Sequence, residues 1–153
     1  MLTKNLSFPV LLFSRNFLQG AIYSERQLCL RTVGSYEVGT YEGAEILDSN
    51  GALYKVNRVI STKNFFSTCD NFLVDIQTLF SRPSSERVIW VLFDIQFVAD
   101  LDFNASKRKV SKFVEENGLF DRNLEVDDSI ARRLDKFKSV KDLCGNLRGY
   151  SKE

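Results

Sequence analysis

The sequence predicts an α+β fold: a mostly antiparallel sheet with helices packed on one face, strands first and helices toward the C-terminus. Three observations carry this expectation. Thirteen Phe against one Met, one Trp and two Pro point to a core of rigid rings, which favour pleated surfaces. An Asn50-Gly51 pair separates two strand-like runs, the mark of a hairpin. In the last third, apolar residues recur at helical spacing. A chain of 153 residues matches one ordinary domain, and no repeat, low-complexity tract or linker divides it, so residues 1–153 are expected to form a single globular domain.

Phe8 to Phe13 is a short apolar run that fits a first strand. Pro9 suits the start or edge of a sheet, because it cannot donate a ladder hydrogen bond. A second strand fits Gln27 to Val33. A half-exposed third fits Tyr36 to Tyr41, where Tyr36, Val38 and Thr40 alternate with Glu37, Gly39 and Tyr41. From Glu45 to Val56 the chain reads as a hairpin, with Asn50-Gly51 supplying the positive φ angles of its turn. Phe65, Cys69, Phe72, Leu73, Ile76, Leu79 and Phe80 then recur at helical spacing, with Ser67 and Asp70 as a capping box and Arg82-Pro83 as the stop. Val88 to Phe93 is continuously apolar, as expected of a central strand covered on both faces.

The remainder reads as amphipathic helices. Val110, Phe113 and Val114 face one way, most of the charges between Lys107 and Glu116 lie elsewhere, and Gly118 is placed for a left-handed C-terminal cap. Asp127 or Asp128 can cap a helix carrying Ile130, Ala131, Leu134 and Phe137. Ser139 and Asp142 resemble a capping box ahead of Val140, Leu143, Cys144 and Leu147.

Composition narrows the function. The chain has no histidine, which removes the commonest general acid-base residue near neutral pH and the commonest metal ligand. A binding protein is therefore expected rather than an enzyme. With 21 basic and 20 acidic residues and a net charge of +1, no broad field of one sign draws nucleic acid or an anionic membrane. Cys29, Cys69 and Cys144 are odd in number, far apart and never in a C-x-x-C spacing, which fits buried thiols in a reducing, cytoplasmic setting. Pro9 and Ser14 interrupt the apolar start, so it reads as a strand rather than a leader, and no stretch approaches a membrane span. The sequons at Asn5 and Asn104 are too short a pattern to carry weight.

Asp94, Asp100 and Asp102 follow the apolar strand. If the chain stays extended, Asp100 and Asp102 share a face where Mg²⁺ could bridge them; alternatively, carboxylates mark where a buried strand emerges into solvent. No third ligand or base is evident, and no cofactor, phosphate-binding or nucleophile-elbow motif occurs, so neither a metal nor a cofactor is expected. The basic sets Lys107-Arg108-Lys109-x-x-Lys112 and Arg132-Arg133-x-x-Lys136-x-Lys138-x-x-Lys141 could touch phosphates, but interspersed acids favour solvated helix faces. An opposite possibility is an acidic, toxin-binding face of Asp94, Asp100, Asp102, Asp121, Glu125, Asp127 and Asp128, able to clasp a cationic nuclease site. Dispersed acids beside loops and helix starts are the plainer explanation.

The hairpin Ile46 to Val56, the helix Phe72 to Phe80 and the strand Val88 to Asp94 resemble the immunity proteins of bacterial polymorphic toxin and contact-dependent growth inhibition systems. That resemblance implies a small cytoplasmic inhibitor, monomeric or weakly dimeric, that binds the C-terminal domain of a cognate toxin, often a nuclease, and catalyses nothing. Inhibitors of cationic nucleases are often strongly acidic, and the balanced charge here departs from that. The alternatives are a histidine-free, metal-dependent hydrolase or nuclease using Asp94, Asp100 and Asp102, and a non-catalytic adaptor domain.

Overall fold

In the computed structural model, which describes residues 5–32, 41–62, 88–120 and 129–152, the backbone is organised by one antiparallel sheet. In chain order its strands are β1 (Val10–Ser14), β2 (Phe17–Ile22), β3 (Leu30–Thr32), β4 (Glu45–Leu47), β5 (Ala52–Thr62), β6 (Val88–Asp100) and β7 (Tyr150–Ser151). Seven strands lie in the order β3-β6-β5-β4-β1-β2-β7, and every neighbouring pair is antiparallel. The helices are α1 (Glu25–Cys29), α2 (Phe103–Asn117), α3 (Ile130–Leu134) and α4 (Val140–Asn146). Strands thus come first and most of the helical residues last, the α+β arrangement expected.

Period-two alternation gives the sheet two cores. Val10, Leu12, Ile46, Val56, Val91, Phe93 and Ile95 pack with Leu28 and Cys29 of α1 and with Tyr41 on one face. Leu11, Phe13, Leu47 and Leu53 pack on the other against α2, α3 and α4 through Val110, Val114, Leu134 and Leu143. All five residues of β1 are buried, so Val10–Ser14 is a strand covered on both faces. β6 lies next to the edge strand β3, and its apolar side chains Val91, Phe93 and Ile95 reach only the first core. Among the described residues, the second core draws on β1, β2, β4, β7 and the start of β5.

Two expectations are corrected. Gln27 to Cys29 are helical, because Ser24 holds the turn: its hydroxyl accepts from Gln27 N and its carbonyl from Leu28 N. Among the described residues of that segment, Leu30–Thr32 is strand. Phe17–Ile22, which carries Gly20 and no clear alternation, is a strand all the same, paired along β1. Tyr41 is buried in the first core, its ring 5.6 Å from that of Phe93. The strand expected at residues 36–40 and the helix expected from Phe65 to Phe80 lie outside the described residues.

The hairpin forms where Asn50-Gly51 placed it, with Leu47 opposite Leu53 and Glu45 opposite Lys55. Its turn runs from Asp48 to Gly51, and only Gly51 has a positive φ, at 91°. The buried Asp48 carboxylate substitutes for a second such residue. Its Oδ1 accepts from Asn50 N and Ala52 N at 2.9 and 3.0 Å, and its Oδ2 from Ser7 N at 3.3 Å. On the far side, Gly51 O accepts from Leu101 N at 2.8 Å. The turn is thereby clamped between the N-terminal segment and the junction of β6 with α2.

Caps set the helix limits. Asp102 caps α2 by accepting from Ala105 N at 2.7 Å, and Gly118, at φ 57°, donates back to Val114 and Glu115 carbonyls. Ser139 caps α4 by accepting from Asp142 N. The cap of α3 is Ser129, which accepts from Arg132 N, so neither Asp127 nor Asp128 fills that role; a hydroxyl one residue nearer the helix reaches its free amides first. α3 ends at Leu134, before Phe137.

Candidate functional site

Of the carboxylates singled out by the sequence, the three that are described, Asp94, Asp100 and Asp102, do not share one face. Asp94 and Asp100 both stand on β6, six residues apart, or roughly 20 Å along an extended strand. Asp94 is paired across the sheet with Arg58, on the face opposite Val56 and Ile95. In an unbroken strand Asp100 would share that face. It does not, because Phe97 pairs with Tyr54 and Ala99 with Leu53: two residues of β6 span one step of β5, a bulge at Val98. The extra residue reverses the alternation and carries Asp100, opposite Ala52, onto the face of Tyr54 and Phe97.

Asp102 does not continue the strand. Its carboxylate is committed to the α2 cap, so the extended Asp100/Asp102 pair suited to bridging a cation is not formed. Among the described residues, no three His, Cys, Asp or Glu side chains are grouped so as to hold a metal ion. Asp121, Glu125, Asp127 and Asp128 lie outside the described residues.

What the bulge assembles is an aromatic and acidic patch at the end of β6. Phe97 and Val98 are each 50% exposed. The Phe97 ring stands edge-on to Tyr54, centroids 5.9 Å apart. Burial first, then the carboxylates of Asp48 and Asp100, raise the Tyr54 hydroxyl above its ordinary pKa, which places Asp100 within electrostatic reach of the same ring pair. A half-exposed ring beside a carboxylate suits a Lys or Arg side chain, which can lie over the ring while its charge meets the acid. Phe97 and Val98 carry no separate signal in the sequence, since they continue an apolar run that reads as buried strand.

The basic sets divide. In the first, Lys112 and Glu116 at 3.6 Å form an exposed i, i+4 pair of the kind expected of interspersed charges, whereas Lys107 and Lys109 are largely covered and reach Asp135 and Glu45, each at 2.7 Å. In the second, Arg133 and Lys136 line a cavity of about 330 Å³ together with Arg148, Phe137, Asn146 and Tyr150. Arg148, Asn146 and Tyr150 carried no signal, because they reach the cavity only through the return of the chain from α4 into β7.

Cysteine chemistry is suppressed where it can be seen. Cys29 and Cys144 are buried. Burial, followed by the Asp48 carboxylate, pushes the Cys144 thiol up to about 12, which leaves it protonated and unreactive near neutral pH. No helix among the described residues is long and apolar enough to cross a membrane. No family model, curated protein or solved structure matches the chain.

Proposed function

We propose that this chain is a non-catalytic binding protein of the bacterial cytoplasm that neutralises a cognate toxin domain, a nuclease by preference, by covering its active site. The observation that carries the reading is the bulge at Val98, which sets the exposed Phe97 ring and the Asp100 carboxylate on one face. Bulges of this kind re-aim side chains where a strand serves a partner. A single aromatic anchor flanked by an acid supplies the centre of a standard-sized interface to a cationic surface. Steric occlusion needs no acid-base pair, in keeping with a chain that has no histidine. The resemblance to immunity proteins points the same way, and two buried cysteines far apart in the sequence suit a reducing compartment.

The test is genetic. The reading frame immediately upstream of this gene is expressed alone and together with this chain. Growth arrest that this chain relieves, and that Phe97→Ala with Asp100→Lys no longer relieves at equal protein level, supports the proposal. Arrest that this chain does not relieve, or an upstream product without toxicity, removes it.

A further inference from the structure

We infer that Asn117, and not Asn50, is the residue at which the folded chain is modified by spontaneous deamidation. The sequence holds two Asn-Gly pairs, Asn50-Gly51 in the hairpin turn and Asn117-Gly118 at the end of α2. The reaction needs water and no other side chain. The glycine nitrogen gives its proton to water and bonds to the asparagine Cγ, the Cγ–Nδ2 bond breaks and ammonia leaves. Water then opens the five-membered imide at either carbonyl, which leaves aspartate or isoaspartate. Glycine favours the first step because no Cβ restricts its backbone or keeps its nitrogen from Cγ. Both pairs have the same chemistry, so the fold decides which of them reacts.

Asn50-Gly51 is held from distant parts of the chain. Gly51 is buried, its N–H donates to Asp48 O at 3.0 Å, and its carbonyl accepts from Leu101 N at 2.8 Å. Asn50 donates through its backbone N–H to Asp48 Oδ1 at 2.9 Å and through Nδ2 to Ser7 Oγ at 2.7 Å. Ser7 is fixed in turn by Ser49, whose N–H and hydroxyl both donate to Ser7 O. Swinging the Asn50 amide onto Gly51 N therefore breaks contacts with two other segments. At Asn117-Gly118 the bonds lie within the last turn of α2: Asn117 Nδ2 donates to Phe113 O at 2.9 Å, and Gly118 N to Glu115 O at 3.2 Å. Gly118 is exposed, and no described atom lies within 4 Å of where its Cβ would stand. A helix end opens at lower cost than a turn clamped into a sheet. The product matters where it forms. Aspartate at 117 follows Glu115 and Glu116, places another carboxylate at the negative end of α2, and cancels the net formal charge of +1.

The test does not depend on the toxin reading. The purified full chain is aged at neutral pH and physiological temperature, both folded and in urea above its unfolding midpoint. Tryptic peptides are then mapped by mass spectrometry for aspartate and isoaspartate at both positions, and each folded rate is divided by the unfolded rate of the same site. This quotient is expected to be at least about tenfold larger at Asn117 than at Asn50, since the clamp adds two or more hydrogen bonds of about fivefold each. Ser7→Ala, which removes the acceptor of the Asn50 amide, is expected to raise the folded rate at Asn50 about fivefold and to leave Asn117 unchanged. On isoelectric focusing the ageing folded chain is expected to develop a more acidic band that Asn117→Gln abolishes. The inference is overturned if the two quotients lie within about tenfold of each other or the larger belongs to Asn50. It is equally overturned if Asn117 stays intact in the folded chain while the unfolded chain converts, if Ser7→Ala fails to accelerate Asn50 alone, or if the acidic band persists in Asn117→Gln.

Discussion

Replacing Gly51 by alanine tests how the hairpin turn fixes the end of β6. Gly51 sits at φ 91°, and a Cβ there would lie 2.3 Å from Leu101 O. Backbone, not a flexible side chain, stands in the way, so the turn or the β6–α2 junction must move. Holding a non-glycine residue in this region costs about 1–3 kcal/mol. Moving Leu101 weakens the 2.8 Å bond from its N–H to Gly51 O, worth about 1 kcal/mol. Gly51→Ala is thus expected to destabilise the fold by roughly 2–4 kcal/mol, read as a lower urea midpoint at unchanged m-value. Because Leu101 stands between Asp100 and Asp102, the same variant is expected to weaken any interaction that uses Asp100. A loss under about 0.5 kcal/mol, the size of an ordinary surface substitution, would refute the clamp.

Asp48→Ala is expected to cost about 2–4 kcal/mol, since it strands amides of Asn50, Ala52 and Ser7, while Asp48→Asn keeps the two Oδ1 bonds and loses about half as much; equal effects of the two in urea denaturation would contradict the assignment. At pH 8, iodoacetamide with peptide mapping is expected to leave Cys29 and Cys144 unmodified until denaturant is added. For Cys144 the folded pKa, about 12, lies above the unfolded value near 8.5. Its contribution is complete below about pH 8.5 and is lost as pH rises toward the folded value, because only the unfolded state releases the proton. The difference in stability between wild type and Cys144→Ala should therefore shrink over that window, and a difference that grows with pH would be the wrong sign. Phe97→Ala is expected to change stability by about 1 kcal/mol or less, as its ring is half in water already; a loss of 3 kcal/mol or more, typical of a core Phe, would mean that it is a packing residue.

Legibility in the sequence followed the range of the forces involved. The hairpin at Asn50-Gly51, the Gly118 stop and the Ser139 cap are local devices, each decided within a few residues, and each formed where its spacing placed it. β2 hid because Gln19-Gly20-Ala21 breaks the apolar pattern, yet pairing along β1 holds it in the sheet. Val10–Ser14 and Val88 to Phe93 look alike as apolar runs; that Val10–Ser14 lies between β4 and β2 with all five residues buried depends on strand order, a long-range property. The acidic residues show the limit most clearly. Asp94 and Asp100 have the same parity and would share a face, and one extra residue at Val98 puts them on opposite ones. Nothing within the run Gln96 to Asp100 announces that bulge, since its location depends on how Tyr54 and Leu53 pair from the other strand.

The most direct test of the binding-protein account is the affinity of the purified chain for the product of the upstream reading frame, measured by calorimetry with wild type and with Phe97→Ala. A one-to-one complex whose Kd rises at least about tenfold on loss of the ring, the mark of an anchor residue, is the expected result. A complex that forms equally well without Phe97, or no complex at all, would contradict it.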